Sequence, residues 1–180
     1  MAETQSLMAG KRGIVMGVAN DRSIAWGIAR TLAAHGAEIA FSYQAPQLER
    51  RVRPLAESIG SSLLIECDAG SDESLDNMFA EIGKQWDSID FVVHAIAFSD
   101  RSELTGKYVN TSRANFQLTM DVSCYTLTAV CQRAMKYMTN GGSIVTLTYY
   151  GAERVMPHYN VMGVAKAALE ASVRYLSVDL

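Results

Sequence analysis

The sequence predicts an α/β fold, a doubly wound parallel sheet with helices on both faces, and three observations carry that expectation. Short apolar runs alternate with segments whose apolar residues recur at helical spacing, the pattern of repeated strand–helix–strand units. Glycines stand just past several helical segments, where a chain leaving a helix needs left-handed backbone. The turn after the first apolar run is built from small residues around Gly17, which permits a sharp exit from a strand into a helix. With 180 residues and no long Pro/Gly/Ser linker or repeat, the chain reads as one domain spanning 1–180.

The elements follow in order. Residues 13–16 form the first strand, and a helix over 24–35 places Ile24, Ile28 and Leu32 on one side before Gly36 ends it. A second strand covers 38–42. The polar-faced helix over 47–59 is closed by Gly60, and its basic cluster at Arg50, Arg51 and Arg53 reads as a solvated face. A third strand covers 63–67, after which Ser71 caps a helix over 72–86. The fourth strand is 91–94. Helical periodicity then runs from 113 to 138, preceded by an irregular stretch at 105–111. Gly141 and Gly142 turn the chain into a fifth strand at 143–148, and the last helix spans 159–180.

Composition excludes several classes of function. Hydrophobic residues make up 49% and charged residues 19%, as in an ordinary globular protein. The formal charge of −3 supplies no basic field for nucleic acid or an anionic membrane. Three cysteines, Cys67, Cys124 and Cys131, lack metal-ligand spacing, and their odd number argues against a disulfide framework. No metal site is expected. The first seven residues carry neither a charged nor an apolar targeting segment, and no apolar run has membrane-spanning length. The expected location is the cytoplasm.

In sheets of this kind, ligands bind beyond the carboxyl ends of the strands, and the motifs fall there. After the first strand the pattern is Gly17-x5-Ser23-x-Ala25-x-Gly27, a variant of the three-glycine dinucleotide fingerprint. Gly17 permits the turn, Ser23 can cap the helix and bond a phosphate, and Ala25 and Gly27 allow close packing. The free N–H groups of the helix start favour a pyrophosphate. At the end of the second strand, where an acid commonly holds the adenosine ribose, stands the neutral Gln44. It bonds hydroxyls but offers no charge to a 2′-phosphate, so NADH is expected over NADPH. Asp68, past the third strand, is placed to accept from an adenine amino group.

Tyr159 and Lys166 are seven residues apart, about two helical turns, so a helix carries them on one face. A phenol beside an ammonium is a proton donor with electrostatic support. Together these motifs resemble the divergent enoyl-(acyl-carrier-protein) reductase branch of the short-chain dehydrogenase/reductase superfamily. Commoner members of that superfamily carry Tyr-x3-Lys, whereas position 163 here is glycine. The likeness covers essentially the whole chain and is densest over residues 147–166.

The resemblance implies a Rossmann-like fold and NADH-dependent reduction of the 2,3-double bond of a trans-2-enoyl thioester on acyl-carrier protein, a step of fatty-acid elongation. It places Gly17, Ala19, Ser23 and Ile24 at the pyrophosphate, Gln44 at the ribose, and Asp68 and Ala69 at the adenine. Ile96 and Lys166 go to the nicotinamide ribose. Phe98, Ser99, Tyr149 and Tyr159 go to the substrate, and Tyr149, Tyr159 and Lys166 are the catalytic set. Tyr159 would stabilise the enolate, and Lys166 would orient the ribose and lower the phenol pKa by its charge. Met156 and Met162 are further candidates for an acyl slot, and His158 reads as a surface residue.

Thr148, Tyr150 and His158 replace the family's more frequent serine, leucine and asparagine, and none removes a catalytic group. The resemblance also implies two further C-terminal strands and a substrate-binding segment beyond Leu180, so the chain reads as C-terminally incomplete. An apolar side of the last helix (Val161, Ala165, Leu169, Val173, Leu176) fits the family's homotetramer. Two other readings stay open: a carbonyl or hydroxyl dehydrogenase of the same superfamily, and a non-catalytic cofactor-binding module.

Overall fold

The computed structural model of the protein describes residues 6–180. Residues 1–5, part of the terminus read above as lacking a targeting segment, lie outside the described residues. Five strands form one sheet: β1 (Arg12–Met16), β2 (Glu38–Tyr43), β3 (Leu64–Glu66), β4 (Phe91–His94) and β5 (Ser143–Thr146), in the order β3-β2-β1-β4-β5. The β1–β2, β1–β4 and β2–β3 ladders are parallel, with Met16 opposite both Ser42 and His94. The chain winds outward from β1 to β3, then returns to begin again at β4. The order therefore reverses between β1 and β4, the switch point where such sheets open a crevice at their carboxyl ends.

The six helices are α1 (Ile24–Ala34), α2 (Pro46–Ser58), α3 (Asp72–Gln85), α4 (Arg113–Met120), α5 (Thr126–Ala134) and α6 (Asn160–Asp179). They pack as two compact units. One takes the chain up to Ala95 together with Arg133–Val145, and the other takes Ile96–Gln132 with Thr146–Leu180.

In the first unit, Val15, Phe41 and Val93 of the sheet pack with Trp26 and Ala29 of α1 and Val52 and Ala56 of α2. Of the apolar stripe expected on α1, Ile28 and Leu32 pack against the core but Ile24 does not. Ile24 is 68% exposed, and Ala25, Trp26 and Ala29 fill the core instead. Small residues let α1 lie close to the sheet, and Trp26 supplies the bulk, its ring 6.4 Å from that of Phe41. Gly36 and Gly60 adopt φ of +95° and +78° past α1 and α2, as expected of C-terminal glycines. On α3, Ser71 Oγ accepts from the Ser74 N–H at 3.3 Å.

The long helical pattern over 113–138 is interrupted and shortened. A π turn at Asp121–Tyr125 separates α4 from α5, and α5 ends at Ala134. Tertiary contacts account for the early stop. Arg133 Nε donates to Asp76 at 2.7 Å and its Nη2 to Asp72 at 3.0 Å, while Tyr137 stacks on Phe79 at 6.0 Å. The Tyr137 carbonyl then accepts from the Ile89 N–H, leading the chain toward β5. β5 stops at Thr146 rather than 148. The next two residues turn to α6: the Leu147 carbonyl accepts from Lys166 and the Thr148 hydroxyl donates to Glu170 at 2.6 Å.

In the second unit, Val161, Met162, Ala165, Lys166 and Leu169 of α6 are buried. Toward the end of α6, Val173 of the predicted apolar side is 41% exposed and Leu176 only partly buried, so that end of it is not fully covered within the described residues. Among the described residues no helix is long and apolar enough to cross a membrane.

Candidate functional site

The strand ends of the first unit carry one group of predicted residues. Gly17 has φ +93°, and a Cβ there would land on the Ala95 carbonyl, because the chain leaving β1 runs hard against the chain leaving β4. Glycine is required at this crossing on both counts. From Gly17 the backbone passes to Ser23, whose hydroxyl oxygen accepts from the N–H groups of Ala19 at 3.0 Å and Asn20 at 3.1 Å. Asn20 Oδ1 in turn accepts from the Arg22 N–H at 2.9 Å.

These bonds correct one expectation. Ser23 is the N-cap residue of α1, but its side chain makes no capping bond. Its oxygen is drawn back into the turn and holds the 17–23 loop closed, and only its backbone carbonyl serves the helix, accepting from Trp26 and Gly27. Gly27 differs too: a Cβ there would meet nothing within 4 Å, so no neighbour demands its small size. Ile24 projects from the first turn.

Gln44 follows β2 directly and is exposed, and Asp68 lies just past β3, also exposed. Since β1, β2 and β3 are neighbours, the three strand ends stand in a row at successive steps of about 4.8 Å. One carboxylate oxygen of Asp68 accepts from the Gly70 N–H at 3.1 Å, which shapes the loop, and Ala69 is buried beside it. Next to Gln44, the Tyr43 phenol is pushed up by burial and by the Glu49 carboxylate it meets. Glu49 is also bonded to Arg53.

The second unit carries the aromatic and cationic group. Tyr159 is the residue before α6, and its ring meets that of Tyr149 edge-on, with centroids 4.8 Å apart. A Cβ on Gly151 would strike the Tyr159 ring, and one on Gly163 would lie 2.8 Å from the Gly151 carbonyl oxygen. Both glycines are therefore needed to bring this loop onto α6. Position 163, where the commoner superfamily members carry lysine, has no room here even for a methyl group. Two turns along α6, Lys166 is buried and its ammonium donates to the Leu147 carbonyl at 2.6 Å.

The electrostatics depart from expectation. Burial, and then Tyr149, raises the Tyr159 pKa, where a lowering by Lys166 was predicted. The ammonium is directed at the Leu147 carbonyl, and removal of the phenol from water dominates. Lys166 itself is lowered, chiefly by burial, with Cys124 acting in the opposite direction.

Phe98 and Ser99 separate. The Phe98 ring is 54% exposed, and its backbone is held by Ser123, whose hydroxyl accepts from the Phe98 N–H and donates to the Phe98 carbonyl, both at 2.9 Å. Ser99 points inward. It is buried, accepting from Thr119 at 2.8 Å and Asn115 at 3.2 Å, so its hydroxyl braces the loop rather than opening outward. Met162 likewise belongs to the core, while Tyr149 is half exposed and Ile96 partly so. His158 is exposed, as read from the sequence.

Ser123, Asn115 and Thr119 escaped the sequence reading, because polar residues on a helix read as its solvent side. Ser123 depends on the π turn, which no periodicity announces. Asn160, with φ +32°, also passed unnoticed; the one available signal was that asparagine tolerates left-handed backbone. Among the described residues no group of three or more His, Cys, Asp or Glu side chains is placed to hold a metal ion.

The model of the family described as enoyl-(acyl carrier protein) reductase matches residues 17–180. This chain belongs to the enoyl-(acyl carrier protein) reductase family. The NADH enoyl-acyl-carrier-protein reductase 1 of Rhizobium meliloti is 62% identical over 180 residues, covering 100% of this chain and 66% of that relative. The solved enoyl-acyl-carrier-protein reductase of Anaplasma phagocytophilum, in complex with NAD, superposes with a TM-score of 0.94 at 58% identity, covering 96% of this chain and 66% of that one. The Bacillus cereus family member, solved with NADP+ and an indole naphthyridinone, superposes with a TM-score of 0.95 at 52% identity, covering 97% and 68%. The chain thus spans about two thirds of the length of such relatives. The five-stranded doubly wound sheet read from the sequence is the fold these family members share.

Proposed function

We propose that this family member takes part in NADH-dependent reduction of the 2,3-double bond of a trans-2-enoyl thioester carried by acyl-carrier protein, in fatty-acid elongation. The observation that carries the reading is Tyr159: a partly buried phenol with a raised pKa, walled by Tyr149, at the head of a helix whose buried Lys166 lies two turns on. A phenol kept protonated at neutral pH is suited to donating a hydrogen bond.

The first unit fits a dinucleotide. Gly17 turns the chain sharply out of β1 where a Cβ would meet the Ala95 carbonyl, and α1 begins immediately beyond the closed 17–23 loop. Gly17, Ala19, Ser23 and Ile24 are assigned to the pyrophosphate, Gln44 to the adenosine ribose, and Asp68 and Ala69 to the adenine. The neutral side chain of Gln44, which offers no charge to a 2′-phosphate, favours NADH over NADPH. In the second unit, the Ile96 backbone and Lys166 are assigned to the nicotinamide ribose. NADH, when bound, supplies the hydride for the substrate β-carbon.

As charge develops on the thioester oxygen, Tyr159 donates a hydrogen bond to it and stabilises the enolate more than the ground state. Tyr149 holds the Tyr159 ring by its edge and, with the exposed Phe98, is assigned to the acyl chain. Ser99 is assigned a supporting part, anchoring the loop that carries Phe98. A homotetramer is supported by the exposed apolar side chains of α6, and a cytoplasmic location by the proposed pathway step.

The test is NADH oxidation by the complete gene product with an enoyl carrier-protein substrate. Tyr159→Phe is expected to lower kcat by about 10²–10³, the usual cost of removing such a donor. Unchanged turnover would remove Tyr159 from the mechanism.

A further inference from the structure

Tyr159 lies between the two non-glycine residues of the described chain with positive φ, His158 at +59° and Asn160 at +32°. Left-handed backbone is disfavoured for a residue with a Cβ, so two such residues flanking a phenol need something to hold them. His158 is exposed. Asn160 is not: its side-chain amide nitrogen lies 3.2 Å from the Glu103 carbonyl and 3.4 Å from those of Thr105 and Gly106. A primary amide has two N–H groups, and here both are directed into one ring of backbone acceptors.

The turn that receives them is itself braced. The Glu103 carboxylate accepts from the Ser112 N–H and hydroxyl, both at 2.8 Å, and Ser112 caps α4 by accepting from the Asn115 N–H at 3.1 Å. Asn115 then accepts from the Asp100 N–H at 2.9 Å, and Asp100 accepts from the Ser102 N–H at 2.8 Å. The 100–112 loop is thereby fixed to α4, and Asn160 is bonded to the middle of it. Gly151 and Tyr149 in turn meet the Tyr159 ring.

We infer that Asn160 is a positioning residue for Tyr159: its left-handed backbone aims the phenol, and its amide locks that conformation to the 103–106 carbonyls. The inference rests on the reading of Tyr159 as hydrogen-bond donor. Asparagine suits both tasks, since it tolerates positive φ and carries two donors. Asn160→Gly keeps the backbone and loses the lock. Asn160→Asp keeps the shape but turns a carboxylate toward three carbonyl oxygens.

The experiment is steady-state kinetics of the complete gene product with NADH and an enoyl carrier-protein substrate, for both variants, for Tyr159→Phe and for Asn160→Gly/Tyr159→Phe. Circular dichroism and NADH binding by fluorescence are followed in parallel. Both single variants are expected to fold and bind NADH within twofold of the parent, with kcat at least tenfold lower and KM little changed. The alkaline limb of kcat is expected to move to lower pH, because a phenol released from its walls regains water and loses the upward push of burial. In the Tyr159→Phe background, Asn160→Gly is expected to cost less than twofold, since the two act as a unit.

A tenfold loss that persists in that background overturns the inference, because Asn160 then acts independently of the phenol. So does unchanged kcat in both single variants. If Tyr159→Phe itself has no effect, the proposed mechanism has failed, a result separable from failure of the positioning role alone.

Discussion

Replacing Gly17 by alanine asks whether the switch point of the sheet is built as tightly as its geometry indicates. Two costs add. A Cβ at φ +93° incurs about 1–2 kcal/mol of backbone strain. The same Cβ would fall on the Ala95 carbonyl, whose own N–H is hydrogen-bonded to the Met16 carbonyl at 3.3 Å. Neither strand end gives way without disturbing the β1–β4 ladder, and overpacking of this kind costs about 1–3 kcal/mol. Against them, alanine restricts the unfolded chain and returns about 0.4–1 kcal/mol. The net expectation is a loss of about 2–4 kcal/mol. The control is Gly60→Ala, at φ +78° with nothing within 4 Å of the added carbon, which isolates the backbone term at about 1 kcal/mol or less. Equilibrium unfolding in urea measures both, the midpoint falling at constant slope. Equal losses at the two positions would refute the steric argument, leaving backbone strain as the sole demand for glycine at 17.

Three further outcomes are expected. Gly27→Ala, inside α1 with open space around its Cβ, should raise stability by about 0.5–1 kcal/mol in the same assay; a loss would reveal a contact at that turn. Gly163→Ala is the same exchange inside α6, but its Cβ lies 2.8 Å from the Gly151 carbonyl oxygen. It should forfeit the helical gain and lose about 1–2 kcal/mol net, visible as a lowered Tm. Asp90 accepts from the Lys11 ammonium at 2.7 Å and the Arg12 N–H at 2.9 Å, and the Lys11 bond is the first cause of its lowered pKa. A depressed carboxylate stabilises the fold above its unfolded value of 3.8, and the contribution fades as pH falls from there through the folded pKa. Asp90→Asn should therefore flatten the acid limb of stability against pH below about 4, and an unchanged limb would show that the Lys11 bond does not persist in solution.

Much of the architecture is legible in the chain because its signals are local. Strand β4 appears at 91–94 as read, since a short buried run with three apolar side chains between turns has few alternatives. Gly36 and Gly60 mark helix ends because only glycine takes their φ at no cost. Gly17, Gln44 and Asp68 fall in order at three strand ends because each lies within two residues of the end of its strand, and parallel pairing then aligns them.

What escaped was decided by contacts between residues distant in sequence. Periodicity set Ile24 on one side of the helix with Ile28 and Leu32, but the close approach of α1 to the sheet buries Trp26 and leaves Ile24 exposed. Ser23 was read as a cap because its type and place suit one, yet the turn it closes competes for the same oxygen and wins. The spacing of Tyr159 and Lys166 proclaims a shared helix face, which is a property of helical geometry alone. Whether the ammonium lowers the phenol depends on where Nζ finds its partner, and the Leu147 carbonyl, nineteen residues away in the chain, decides that. Asn160 shows the same division. Its type permits a left-handed turn, but only folding brings three carbonyls from a loop more than fifty residues earlier within reach of its amide. Local pattern thus dictates which elements form and which residues stand at their ends, while the direction of each hydrogen bond at those ends is set by whichever acceptor the packed chain delivers.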